Sequence, residues 1–401
     1  MRVLIINELA KFGGAEMQTM RECILLNQFG NEAMVLTLDT NFKQGWNSKR
    51  HYNISRKDSF LKRQVQMLFS DHSIITEIKN VISRFNPDYI HVNNTRAHAL
   101  SIYKAVKGYK CLRTIRDYGA VCPNSQCICA DLSLCDGYTN CMKCITRCWT
   151  MNNIIKEMWN WICFKRRNYA QRKAINNFAC PSQMLTNYCN RAGLKTTCIN
   201  NPFDFSMLIG KKKETNFEKK IFLYYGQIIG FKGIKQLIEA FADFSKDKED
   251  IELHLAGLIP EEYEETFDRL LREHKRSKIL YIGQLEYNQM IMELLKVHTV
   301  IIPSLWIENY PNTALEAISA GCLVLGSERG GMREIIGTDK FIFNVLDKSD
   351  FITKLELAYG VTKDEYLKIT EEGKKRVIRN NSFDVYYSRL MKCFENININ
   401  V

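Results

Sequence analysis

Glu308 and Glu316 bracket the segment Asn309-Tyr310-Pro311-Asn312-Thr313-Ala314-Leu315. Proline lacks an N–H and has a fixed φ, so Pro311 belongs at or near the first turn of a helix. Glu316 then lies about one turn inside that helix, and Glu308 in the loop before it. Between the two carboxylates stand the backbone N–H groups near Asn312 and Thr313, which a helix leaves without internal partners. Such a mouth suits a diphosphate on its N–H groups and hydroxyls on its carboxylates. The plainer reading is an acid near a helix N-terminus, where the dipole favours it.

Gly226-Gln227-Ile228-Ile229-Gly230-Phe231-Lys232-Gly233 reads as a strand-to-helix loop of the same half, with Lys232 placed to neutralise phosphate charge. A solvated loop lysine is the plainer alternative. Gly13-Gly14-Ala15-Glu16 follows the opening apolar run and starts a helix, where glycine admits close backbone approach and the helix end attracts an anion. A tight turn would use the same residues. The segment is not G-x-G-x-x-G, which disfavours a dinucleotide-binding dehydrogenase.

Cys122, Cys127, Cys129, Cys135, Cys141, Cys144 and Cys148 crowd into one segment. Cys141-Met142-Lys143-Cys144 is a C-x-x-C pair, and Cys122 and Cys135 are the thiolates that would complete a structural zinc site. Free thiols are the alternative, with no second C-x-x-C to decide. Trp159, Trp161, Phe164 and Tyr169 interleave with Lys156, Lys165, Arg166, Arg167, Arg172 and Lys173. One reading is an interfacial helix, rings at headgroup level and cations on anionic lipid. The other is a helix whose rings pack on its own domain under long basic stems.

The elements that must hold these residues alternate. Arg2 to Ile6 is an apolar run, Met17 to Phe29 has helical spacing, and Ala33 to Leu38 reads as a strand. Ile75, Ile78, Ile82 and Phe85 recur at helical steps until Pro87-Asp88, and Tyr89 to Val92 follows as a strand. The pattern restarts with Ile221 to Tyr225, a helical stripe of Ile234, Leu237, Ile238 and Phe241, and strands at Ile251 to Ala256, Ile279 to Ile282, Thr299 to Ile302 and Leu323 to Gly326. A helix from about Asn312 to Ala320 precedes the last of these. Strand-helix-strand alternation predicts parallel sheets in two α/β halves, with a hinge at Asn200-Asn201-Pro202-Phe203-Asp204 and a last helix at Phe383 to Phe394.

Length and composition agree. At 401 residues the chain needs two or three domains, and 46% hydrophobic with 25% charged residues excludes a disordered or fibrous protein. The net charge is +12, but it is not evenly spread. Residues 1–200 hold 28 Lys+Arg against 13 Asp+Glu, a net of +15, and residues 201–401 hold 28 against 31, a net of −3. The excess base points to an anionic partner of the first half. After Met1-Arg2 the apolar run stops at Asn7, too short for a secretory signal, and no stretch is apolar enough to span a bilayer. The expected location is the cytoplasm, and 15 cysteines there are mostly free thiols.

Taken in order, Gly226…Lys232-Gly233, Glu308…Glu316 and Gly330-Gly331 resemble glycosyltransferase family 4, and the Gly13-Gly14-Ala15-Glu16 and Arg116-Asp117-Tyr118…Cys122-Pro123 segments resemble its N-terminal half. The resemblance covers nearly the whole chain. It implies an α/β GT-B fold of two Rossmann-like domains facing a cleft: residues 1–200 on the acceptor side with a Cys-rich insert near 122–148, residues 201–382 binding nucleotide sugar, and residues 383–401 as a helix crossing back. It implies retaining transfer of a sugar from a nucleotide-diphosphate sugar, with no metal or other cofactor required for catalysis. It places Glu308 on donor-sugar hydroxyls, Glu316 on the ribose, Lys232 and the N–H groups near Asn312-Thr313 on the diphosphate, and Gly13-Gly14 against the donor from the other domain.

Two departures stand out. Gln227 occupies a position where the family usually has arginine, and it brings a hydrogen bond without a charge. Arg116 occupies a position where the family often has histidine, and a permanent cation is no equivalent of a neutral imidazole. We carry Arg116 as a catalytic, phosphate or acceptor contact, and His91 as a neighbouring candidate with a structural role as its alternative. The expected acceptor is a glycan or lipid-linked glycan in capsule, lipopolysaccharide or other surface-polysaccharide synthesis, with peripheral association to the anionic inner face of the membrane. The rivals are an inactive family member that binds nucleotide or a partner, and a basic zinc-containing nucleic-acid-binding protein. Two complete α/β halves and the paired glutamates argue against the last, so no nucleic-acid partner is expected.

Overall fold

The computed structural model describes residues 1–9, 14–38, 50–135 and 153–397. The chain forms two compact units: Met1–Pro202 together with Phe383–Val401, and Phe203–Ser382.

The first unit is built on strands β1 (Arg2–Ile6), β2 (Glu32–Thr37), β3 (His51–Asn53), β4 (Tyr89–Val92), β5 (Cys111–Thr114), β6 (Asn177–Cys180) and β7 (Thr196–Cys198), in the order β3-β2-β1-β4-β5-β6-β7. Every pairing is parallel. Val3 to Ile6 are fully buried, as strands covered by helices on both faces must be. The helix His72–Phe85 is capped by Asp71, whose carboxylate accepts from Ser73 N, and ends on Asn86 in the left-handed region at φ 47°. Its buried stripe is Ile74, Ile78, Val81, Ile82 and Phe85. Ile75, expected in that stripe, lies one step off it.

The final helix, Phe383–Glu395, belongs to this unit. Tyr386, Leu390 and Phe394 pack with Val3, Ile5, Leu25 and Leu112 in one core. Tyr387 stacks on Phe29 with centroids 4.3 Å apart, and Phe394 stacks on Tyr89 at 4.8 Å.

The second unit holds β8 (Lys220–Tyr225), β9 (Ile251–Ala256), β10 (Ile279–Gly283), β11 (Thr299–Ile302), β12 (Leu323–Ser327) and β13 (Ile342–Phe343), ordered β10-β9-β8-β11-β12-β13 and again parallel throughout. Strand order reverses between β8 and β11. In a doubly wound sheet a crevice opens there, beyond the carboxyl ends of the strands, and ligands bind in it. The Gly226–Gly233 loop leaves β8 at that point, and the loop carrying Glu308 leaves β11 beside it.

Candidate active site

Glycine fixes the β8 loop. Gly233 has φ 75°, and a Cβ there would fall 1.8 Å from Pro303 O, so the turn can lie against the end of β11 only because that atom is missing. The two loops are then pinned: Leu305 N and Trp306 N both donate to Phe231 O, at 3.0 and 3.1 Å. This brings Lys232, in the single turn Gly230–Lys232, over the following loop. Its Nζ lies 2.5 Å from Glu308 Oε1, and Ser304 Oγ donates to the same oxygen at 2.7 Å.

Glu308 is held from behind as well. Its carbonyl accepts from Gly331 N at 2.7 Å, and its backbone pairs with Gly330 as a parallel bridge. Gly330 has φ 92°, and a Cβ there would stand 1.7 Å from Glu308 O. Burial pushes the Glu308 carboxyl up, but the Lys232 ammonium and the Ser304 hydroxyl outweigh it and leave the group below its ordinary value. Its side chain is 15% exposed.

The helix Asn312–Ser319 begins after Pro311, which sits at the N-cap with no side-chain cap. Glu316 is buried within it. Tyr225, at the end of β8, donates to Glu316 Oε2 at 3.2 Å and to Thr313 O at 2.7 Å, while Tyr287 donates to Glu316 Oε1 at 3.3 Å. Burial first, and then the Glu316 charge, push the Tyr225 phenol well above its usual range, so it stays a donor. Lys232 and Glu308 therefore meet beyond the end of β11, while Thr313 and Glu316, on the helix that Asn312 opens, share Tyr225 at the end of β8. Gln227 is exposed on the rim of the same loop, its carbonyl accepting from the Tyr224 hydroxyl at 2.7 Å.

Sequence reading passed over Ser304, Tyr225, Tyr287 and Arg329. Arg329 is buried beside Gly330, and its Nη1 donates to Leu305 O at 3.0 Å, tying the Glu308 loop to the end of β12. A strand ending in tyrosine and an arginine before a glycine pair were the available signals.

In the first unit, Gly14 opens the helix Gly14–Gln28 and is exposed; Gly13 lies outside the described residues. Arg116, just past β5, is 7% exposed. Its Nε donates to Asn93 Oδ1 at 3.2 Å and its Nη1 to Asn201 Oδ1 at 3.0 Å, and its Nη2 stands 3.7 Å from Glu22 Oε2. Glu22 is the centre of this network: fully buried, it also bonds His91 Nδ1 and accepts from the Tyr386 hydroxyl at 3.1 Å. Burial pushes its carboxyl up, and His91, Arg116 and Tyr386 together bring it below the ordinary value. His91 is itself fully buried, its Nε2 2.8 Å from Thr114 Oγ1, which is the structural role.

Of the proposed zinc ligands, Cys141 and Cys144 lie outside the described residues. Cys122 is buried, and its thiol is brought down to about 6, first by a hydrogen bond with Cys127 and then by backbone N–H groups that outweigh burial. Cys127 was not in the proposed set. Cys135 is half-buried, with its N–H on Cys127 O at 2.8 Å. Among the described residues no three His, Cys, Asp or Glu side chains are grouped to hold a metal ion.

Residues 208–376 match the family model described as Glycosyl transferases group 1. A protein of the cps region of Klebsiella pneumoniae, uncharacterized, is 22% identical over 269 residues, 65% of this chain and 63% of that protein. The chain thus spans under two thirds of that relative's length. Among solved structures, Anabaena HepE in complex with UDP superposes with a TM-score of 0.71 at 12% identity, covering 98% of this chain and 100% of that one. WaaG, a glycosyltransferase involved in lipopolysaccharide biosynthesis, gives 0.67 at 13% identity, covering 98% and 99%. The structural likeness is one of fold: two parallel-sheet Rossmann-like units of the GT-B type.

Proposed function

We propose that this chain is a retaining glycosyltransferase that takes a sugar from a nucleotide-diphosphate sugar and adds it to a glycan or lipid-linked acceptor in surface-polysaccharide synthesis. The observation that carries the reading is the Lys232–Glu308 pair, locked by Gly330-Gly331 beside the mouth of the helix Asn312–Ser319. The group 1 match over 208–376 supports it, as do HepE's complex with UDP and the cps-region and lipopolysaccharide settings of the similar proteins.

In this reading the donor diphosphate lies on the N–H groups near Asn312 and Thr313 and takes up the charge of Lys232. The leaving nucleotide is then stabilised by fixed donors that need no reorganisation as charge develops. Glu308, kept ionised beside Lys232, accepts from hydroxyls of the transferred sugar. Glu316, held by Tyr225 and Tyr287, accepts from the ribose. No side chain has to act as nucleophile, and no catalytic metal is invoked. Gln227 adds a neutral donor at the rim. We assign Arg116 to positioning in the first unit, through Glu22, Asn93 and Asn201, and leave the phosphate to Lys232.

Gln227 favours one rival, an inactive member that binds nucleotide. Thermal protection by UDP or GDP with no protection by an oligonucleotide supports a nucleotide-sugar site over a nucleic-acid protein. Release of nucleoside diphosphate in the presence of acceptor then separates an enzyme from an inactive binder. If Glu308→Ala leaves that release unchanged, the site is wrongly assigned.

A further inference from the structure

Two neighbouring helices of the first unit carry apolar side chains on their outer faces. On Phe60–Leu68 and the residue that caps it, Phe60 is 74% exposed, Leu61 75%, Val65 53% and Phe69 54%. On Ile154–Ala174, packed against it, Ile154 is 57% exposed, Ile155 75%, Met158 50% and Ile162 42%. Ile154, Met158 and Ile162 recur every four residues, as do Leu61 and Val65, so each helix turns a continuous stripe outward. Of the aromatic rings expected at headgroup level, only Tyr169 is exposed, at 63%, two turns past Ile162. Phe164 is in the core, and Trp159 is half-buried, its indole N–H donating to Gln64 at 3.1 Å.

The exposed charges within the two helices have one sign, and Asp58, just before the first of them, has a buried side chain paired with Lys62 at 2.7 Å. Arg63, Lys156 and Arg166 are exposed, and the Arg166 guanidinium lies over the Phe69 ring, 5.3 Å from its centroid. Glu157 is the one acid within the two helices; it is buried and accepts from Asn124 Nδ2 at 2.6 Å. A second copy of this face would match the apolar stripe but repel its charge. An anionic bilayer offers an apolar interior and a negative rim together.

We propose that the face formed by Phe60–Leu68 and Ile154–Ala174 seats the first unit on an anionic phospholipid surface. Phe60, Leu61, Ile155 and Met158 enter below the headgroups, while Arg63, Lys156 and Arg166 meet the phosphates. The seat is interfacial, since among the described residues no helix is long and apolar enough to cross a membrane. The proposal does not rest on the donor site.

The test is co-sedimentation of the full chain with phosphatidylcholine vesicles, with and without phosphatidylglycerol. The chain should pellet with the phosphatidylglycerol vesicles, less so at high salt, and weakly with phosphatidylcholine alone. Leu61→Glu with Ile155→Glu should weaken binding about tenfold or more, with circular dichroism and thermal unfolding unchanged because both side chains are exposed. Arg63→Glu with Lys156→Glu should remove the salt-sensitive part. The proposal is overturned if the unaltered chain stays in the supernatant, or if either double variant binds like it. It is also overturned if the chain is a dimer in solution that Leu61→Glu with Ile155→Glu dissociates without any loss of vesicle binding.

Discussion

The Tyr386 hydroxyl donates to Glu22 Oε2 at 3.1 Å, so a carboxylate buried in the first helix is completed by a side chain from the last one. Tyr386→Phe should lower the stability of the first unit by about 1–2 kcal/mol, the cost of one lost hydrogen bond to a buried charge. Four of the five tryptophans, Trp46, Trp149, Trp159 and Trp161, fall in that unit, so urea unfolding followed by fluorescence in a Trp306→Phe background reads it selectively.

Glu22→Gln should cost more, about 3–5 kcal/mol at neutral pH, because Arg116 loses its buried counter-charge. The sign of its pH dependence follows from a folded-state value below the ordinary 4.5. The ionised group contributes its stability above 4.5 and loses it as pH falls through the lower folded value. The gap between Glu22→Gln and the unaltered chain should therefore narrow below 4.5; a gap that widens there overturns the assignment.

Gly330→Ala adds both a strained φ and a clash with Glu308 O. Gly30 has φ 77° with nothing within 4 Å of a built Cβ, so Gly30→Ala isolates the conformational part. That part is about 1 kcal/mol. Gly330→Ala should exceed it clearly in thermal unfolding and should also abolish nucleotide protection, which Gly30→Ala should leave intact.

Lys232→Met should reduce turnover about 10²–10³-fold if its ammonium stabilises the leaving diphosphate. It should also move the acid limb of the kcat/KM profile. With Lys232 absent, only the Ser304 hydroxyl still opposes burial at Glu308, so its carboxyl rises and activity should fail at a higher pH than in the unaltered chain. An acid limb that stays in place would separate Glu308 from the reaction.

Glu316→Gln should weaken binding of UDP and bring its affinity towards that of 2′-deoxy-UDP. Titration calorimetry of both ligands against both proteins reads this directly. Equal discrimination in the two proteins would remove Glu316 from the ribose.

Where a sequence segment is buried on both faces its strand is easy to read: Val3–Ile6, Phe222–Tyr224 and Val300–Ile302 announce themselves as unbroken apolar runs. β3 and β13 do not, because three and two residues carry no pattern. Lys232, Glu308 and Glu316 were legible from glycine and proline punctuation around them. Ser304, Tyr225, Tyr287 and Arg329 were not, since their partners sit in other loops and only the sheet's strand order brings them together. The helix Ile154–Ala174 shows the limit of composition: its mixture of aromatic and basic residues was plain, but which side faces outward depends on what the domain packs beneath it.

The chain leaves the first unit after Pro202 and returns at Phe383, so that unit is interrupted and the second is not. This imposes an order on biosynthesis. Phe203–Ser382 is contiguous and can close as soon as it has emerged. The core that joins Val3, Ile5, Leu25 and Leu112 to Tyr386, Leu390 and Phe394 keeps an open apolar face until the last helix is made. Through most of synthesis that face, and the Glu22 carboxylate beneath it, is what a chaperone on the nascent chain would meet.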